Sequence, residues 1–291
     1  MKDLDLTVLF VDAIPARIYL ALLRKHGYRP RKILFLDIEP VSGKYRILRK
    51  YFGRFIAKTV LRLFKRYSAA RASSGLSEQL LKEHGLTLQC LKTSLDSYAE
   101  GPVDNISVNG IDDERLTEYL KSSSHRAILF TGGGLLKEPL LSLDRIRFLH
   151  IHPGIVPEIR GADGFFWSLL LRGKAGYSAF YMNPGIDTGD IVVRQEFKVD
   201  LSRLGLENYD NDEIYRALLD VYDPCLRIMT FIHFLDSIFG EEERMVDTGN
   251  PDMLSIPSET QNPYEGRAYF FMHRRLRNFV INGLKNRVEE T

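Results

Sequence analysis

A strand-length apolar run, Leu6 to Val11, is followed by a segment with apolar residues at helical spacing, Ala16 to His26, which Gly27 stops. A second short apolar run, Ile33 to Phe35, comes next. This order restricts the fold more than any other feature. Parallel strands need a crossover, and a helix packed on the sheet supplies it. It predicts an α/β chain with an open, mostly parallel sheet and helices on both faces. Further strand signals are Leu86 to Leu91, Ala127 to Phe130, Phe148 to His152, Tyr177 to Asn183 and Ile191 to Val199. Pro102 to Gly110 reads as irregular, and Asp112 as the cap of a helix over Asp113 to Lys121. Asp212 to Phe239 is apolar at helical intervals, with Pro224 as a kink or break. The turn after the first strand, VDAIPARI, lacks G-x-G-x-x-G and gives no support for a dinucleotide site.

Two aspects of composition bear on function. The net charge of +2 over 291 residues argues against nucleic-acid binding by the chain as a whole. Cys90 and Cys225 are far apart without ligand spacing and read as buried apolar residues in a reducing compartment. Asp3, Asp5, Asp12 and Arg17 interrupt the apolar residues near the start, which disfavours a secretory signal. No window reaches about 20 uninterrupted apolar residues, the length a spanning helix needs. The expectation is a cytoplasmic protein. Lys44 to Arg71 stands apart, being rich in Lys and Arg with no Asp or Glu. Drawn as a helix, it places Leu48, Phe52, Phe55, Ile56, Leu63 and Tyr67 on one side. Its basic face is either simply solvated or a surface for a membrane, an anionic substrate or an acidic partner.

The chemistry concentrates between Phe148 and Arg194. A short apolar strand ends in His150-Ile151-His152, and two residues apart on a strand share a face. Pro153 and Gly154 stop it, leaving His152 at a strand end, where ligand sites gather in open parallel sheets. A second strand leads into Pro184-Gly185-Ile186-Asp187-Thr188-Gly189, a loop able to turn tightly. An imidazole beside a carboxylate is suited to moving one proton near neutral pH. A glycine run, Gly132-Gly133-Gly134, follows the strand ending at Phe130 and permits close approach of a flat ligand, or merely a tight turn.

His150-Ile151-His152-Pro153-Gly154, then Pro157 and Arg160-Gly161, then Gly185-Ile186-Asp187-Thr188-Gly189 resemble the formyltransferase superfamily that uses N10-formyltetrahydrofolate. The likeness covers roughly Ile128 to Val193. It implies a Rossmann-like catalytic domain over 1–240, with 44–71 a basic helical insertion and 241–291 a C-terminal extension. It implies His152 and Asp187 as catalytic residues. The family's asparagine is His150 here, and an imidazole N–H can donate to an oxyanion as an amide does. If that donor must be protonated, activity falls as pH rises past about 6.5. The resemblance places the pteridine near Gly132, Gly133, Gly134, Leu135, Leu136 and Gly185. It implies formyl transfer to a small-molecule amine or a sugar nucleotide, with no nucleic-acid partner and no metal. Three other readings are a formyltetrahydrofolate hydrolase, a catalytically dead folate-binding relative, and a metal-dependent hydrolase built on His-x-His and Asp. No G-x-S-x-G elbow supports a serine nucleophile.

Overall fold

The computed structural model describes residues 1–38, 50–51, 75–132, 136–242, 253–262 and 264–286. β1 (Lys2–Phe10) alternates at first and then becomes continuously buried from Leu6, as a strand covered on both faces must. α1 (Ile14–Lys25) takes Pro15 in its first turn, where the missing N–H costs nothing. β2 (Tyr28–Ile38) runs well beyond the apolar Ile33–Phe35 core that marks it in the sequence. After α2 (Gly75–Glu83) come β3 (Val103–Val108), α3 (Glu114–Ser122), β4 (Ala127–Phe130), the short α4 (Glu138–Leu141) and β5 (Arg147–Pro153). The chain continues through β6 (Arg160–Gly161), α5 (Gly164–Arg172), β7 (Ala175–Tyr181), β8 (Ile191–Phe197), α6 (Asn211–Ala217), α7 (Asp223–Glu242), β9 (Ala268–Tyr269) and α8 (Arg274–Asn286).

Seven strands form one open sheet in the order β3-β2-β1-β4-β5-β7-β8. Pairings from β3 to β5 are parallel, while β7 and β8 are antiparallel to their neighbours. β6 and β9 form a separate two-stranded parallel pair. On one face Leu4, Leu6, Val8 and Phe10 pack with Ile18 and Leu22 of α1 and with Ile228, Phe231 and Leu235 of α7. On the other, Leu9, Leu34, Ile128 and Phe148 pack with Leu116 and Leu120 of α3 and Leu140 of α4. The expected mostly parallel α/β sheet with a helix layer on each face is therefore present. His150 and His152 alternate with Leu149 and Ile151 of the first layer, so they face the α3 and α4 side.

Several local expectations differ. Leu86 to Leu91 is no strand; Leu88–Leu91 is a 3-10 turn with no buried residue. The edge of β2 it would have needed is taken by β3, which lies inside the stretch read as irregular. β3 is an edge strand, only partly buried, so polar residues dilute its pattern. The cap of α3 is Asp113 rather than Asp112: its carboxylate accepts from Arg115 N at 3.1 Å and from Asn109 N at 2.7 Å. Asp112 pairs with Lys137 instead. Between α6 and α7, Leu218–Tyr222 is a π-helical turn in which Asp223 N–H bonds Leu218 C=O. Pro224 has no N–H to offer the preceding turn, which explains the break. The basic segment 44–71 lies outside the described residues apart from Lys50 and Tyr51, both exposed. Among the described residues, no helix is long and apolar enough to cross a membrane.

Candidate active site

His152 occupies the penultimate position of β5 and is 3 % exposed. Its Nε2 lies 3.1 Å from the Ile159 carbonyl. A carbonyl only accepts, so Nε2 carries the proton and Nδ1 is left with a lone pair. That approach depends on Gly154, which has φ +149° and where a Cβ would collide with the Ile159 carbonyl and sit 2.8 Å from His152 Nε2. Ser178, buried on β7 directly opposite His152, anchors the same turn. Its hydroxyl donates to Gly154 O at 2.8 Å and accepts from Val156 N at 3.1 Å.

Asp187 reaches this histidine from the loop between β7 and β8. Its Oδ2 lies 3.5 Å from His152 Nδ1 and accepts from Gly161 N at 2.7 Å. Asp187 holds φ +53°, a left-handed conformation that Asp tolerates better than most residues. The loop is closed by Asn183, whose amide bonds Thr188 O at 3.1 Å and whose Oδ1 accepts from Thr188 Oγ1 at 2.7 Å and Gly185 N at 3.0 Å. Gly185 thus closes the loop, since a Cβ there would run into Thr188.

Burial disfavours charge on both members of the pair. It pushes the His152 pKa down to about 3, helped by the positive charge of Arg227. It raises the Asp187 carboxyl pKa, against the opposing Gly161 N–H bond. At neutral pH the pair holds a neutral imidazole beside a carboxylate of raised proton affinity, a base set to take up one proton.

His150 stands in a row of rings on three adjacent strands. Phe130 and Phe180 are its register partners on β4 and β7, each with a ring centroid 5.8 Å away. Its Nδ1 is buried, with no hydrogen-bond partner among the described residues. Burial lowers its pKa to about 4, and His152 adds to the effect. With a pKa lowered this far, the ring is neutral near pH 7. Any hydrogen bond it gives there comes from the N–H of a neutral ring, which differs from the protonated donor considered for the sequence.

Gly132 lies against the Phe130 ring, 2.8 Å from the place a Cβ would occupy. Leu136 is 4 % exposed and packs into the core with Leu140 and Phe148. Gly133, Gly134 and Leu135 lie outside the described residues. A cavity of about 300 Å³ opens beside Leu141, Leu143, Ile146, Phe148, Met182 and Asn183. Phe148 shares its sheet face with His150, two residues on, so the cavity lies about 7 Å along β5 from that ring. Among the described residues, no three or more His, Cys, Asp or Glu side chains are grouped to hold a metal ion.

Reading the sequence misses Gln261, which accepts from Arg160 Nη2, and Arg227, whose charge acts on His152. Arg160 is visible in the Arg-Gly pair, but Gln261 follows about 100 residues later in a polar stretch without periodicity.

Residues 81–221 match the formyl transferase family. The match covers just under half of the chain. The matched region takes in β3 to β8, α6 and every residue of the His150, His152 and Asp187 constellation. Methionyl-tRNA formyltransferase of Clostridium tetani (strain Massachusetts / E88) is 27 % identical over 111 residues, 38 % of this chain and 34 % of that protein. Its namesake from Clostridioides difficile (strain 630) is 24 % identical over 169 residues, 57 % of this chain and 47 % of that protein. The chain therefore spans less than half the length of these relatives. A sugar N-formyltransferase from Shewanella sp FDAARGOS_354 aligns at 12 % identity over 97 % of this chain and 86 % of its own, with a TM-score of 0.43.

Proposed function

We propose that this protein transfers a formyl group from N10-formyltetrahydrofolate to an amine of a small molecule or a sugar nucleotide. The observation that carries the reading is the His152–Asp187 base, set within the region that matches the formyl transferase family, beside a cavity on the same sheet face. The residues fit the donor. A flat heterocycle suits a cavity walled by Leu141, Leu143, Phe148 and Met182, with Asn183 for polar contact. The unpartnered Nδ1 of His150, two residues from Phe148, offers a buried polar atom to a bound group. When bound, the donor would supply an electrophilic formyl carbon.

The chain's own residues do the rest. His150 presents a neutral imidazole to the place where negative charge develops. Asp187, held by Gly161 N–H, and the neutral His152 take up the proton the amine must lose. The Ile159 carbonyl keeps the His152 ring from turning, so its Nδ1 stays directed at Asp187.

Calorimetric titration with 5-formyltetrahydrofolate, a stable mimic of the donor, tests the reading. Saturable binding below millimolar ligand is expected. Absence of binding by the folded protein would remove folate chemistry altogether. Assays of donor turnover then sort the acceptors. Acceleration by amino sugars or nucleotide-linked amino sugars supports the proposal. Acceleration by methionyl-tRNA alone would move the acceptor to the nucleic acid that the relatives' names carry. Turnover without any amine would make the protein a hydrolase.

A further inference from the structure

Gln261 is 5 % exposed and lies in the segment 253–262, which joins β8 through a bridge between Ile191 and Glu259. Its side chain makes three hydrogen bonds. Nε2 donates to the carbonyl of Gly189 at 2.6 Å and to that of Asp187 at 3.1 Å. Oε1 accepts from Arg160 Nη2 at 3.0 Å. The network assigns the orientation of the amide. Turned over, its NH₂ would face the guanidinium and its oxygen would face two carbonyls.

These bonds close a loop through the site. The Gln261 amide grips the peptide carbonyls on both sides of Thr188 and ties them to Arg160. The next residue, Gly161, holds the Asp187 carboxylate through its N–H. Backbone and side chain of Asp187 are thus both referenced to Arg160-Gly161. Asp187 needs such support, because its left-handed backbone is unfavourable for a residue with a Cβ.

We propose that Gln261 is the positioning residue that keeps the Asp187 carboxylate directed at His152. Its kinetic consequence rests on the formyl-transfer reading; its structural consequence does not. Glutamine is suited to the place because only an amide offers two donors on one side and an acceptor on the other. Methionine matches its length without hydrogen bonds. Glutamate keeps the acceptor for Arg160 but sets an oxygen against two carbonyls, and recovers a donor only when protonated.

The test compares Gln261→Met and Gln261→Glu with the wild type in donor turnover and in ¹⁵N NMR of the His152 ring. A displacement of about 1 Å at a reacting group costs on the order of 100-fold. Gln261→Met should lose about that in kcat at every pH, while KM for the folate stays within about threefold. Gln261→Glu should show the same deficit at pH 8 and recover part of it as pH falls to 5, because protonation restores one donor. Both variants should shift the His152 ring-nitrogen signals. Unchanged kcat in a folded variant, or a loss confined to KM, overturns the proposal. If the wild type turns over no donor, the formyl-transfer reading fails, and the NMR comparison alone decides. Identical His152 signals in wild type and both variants would then show that Gln261 positions nothing.

Discussion

Two buried ionisable pairs lie on opposite faces of the same strands and behave in opposite ways. Under β5 and β7, Arg227 of α7 bonds Asp223 one turn before it. The Asp223 side chain is wholly buried and that of Arg227 is 24 % exposed. Burial opposes the Arg227 charge, but Asp223, Tyr19 and Tyr177 outweigh it and raise the pKa further. On the other face, His152 and Asp187 stand 3.5 Å apart, and burial moves both toward their neutral forms. The same loss of water locks charges where opposite partners touch. It makes a proton acceptor where they are held just out of contact. The two pairs also communicate, since the Arg227 charge helps to keep His150 and His152 neutral.

The largest effect expected is on turnover. His152→Ala and Asp187→Asn should each lower kcat by about 10²–10⁴-fold, with little further loss in the double variant, because a relay fails when either member goes. Independent, multiplying losses would break the pair into two unrelated groups. Asp223→Ala should act instead on folding. Leaving Arg227 buried and uncompensated costs about 3–5 kcal/mol, readable in urea unfolding. Replacing both partners, Asp223→Leu with Arg227→Met, should restore most of that stability and raise the His152 pKa. A double variant with His152 titrating as before would show that the two faces are electrostatically separate.

A smaller effect appears in the pH dependence of stability. The pKa values of His150 and His152 are depressed to about 4 and about 3 in the folded state. The unfolded chain therefore binds more protons than the folded one below about 6.5. Stability should be full above that pH and decline as pH falls toward the folded values, by up to about 1.4 kcal/mol per pH unit for each histidine. Asp187, whose pKa is raised, works in the opposite sense just above the ordinary carboxylate range. His150→Asn should remove one histidine's share of the slope. The smallest effect is on that variant's activity. An amide supplies a donor where a neutral imidazole did, so turnover should stay within about tenfold of wild type and keep the same pH profile from 6 to 8. An inactive, folded His150→Asn would mean that His150 exchanges protons during turnover.

The sheet and the pairing of His152 with Asp187 were readable because both rest on local signals. Strand-length apolar runs mark β1, β4, β5 and β7, and His152 and Asp187 sit beside the Pro-Gly and Thr-Gly turns that end their strands. β3 was not readable, because its edge position lets Asp104, Asn105 and Ser107 break the apolar pattern. The charge state of His150 was not readable either. Burial sets it first, and the rings that flank it, Phe130 and Phe180, come from strands distant in sequence. Gln261 was hidden for the same reason, since its three partners lie 72 to 101 residues away.

Release of tetrahydrofolate from N10-formyltetrahydrofolate, followed with a panel of amine acceptors in the wild type and in Asp187→Asn, tests the central claim most directly. Amine-dependent release by the wild type, lost in the variant although it remains folded and still binds 5-formyltetrahydrofolate, is the predicted result. Release that proceeds equally in both proteins, or in neither, would contradict the assignment of His152 and Asp187 as the base of a formyl-transfer site.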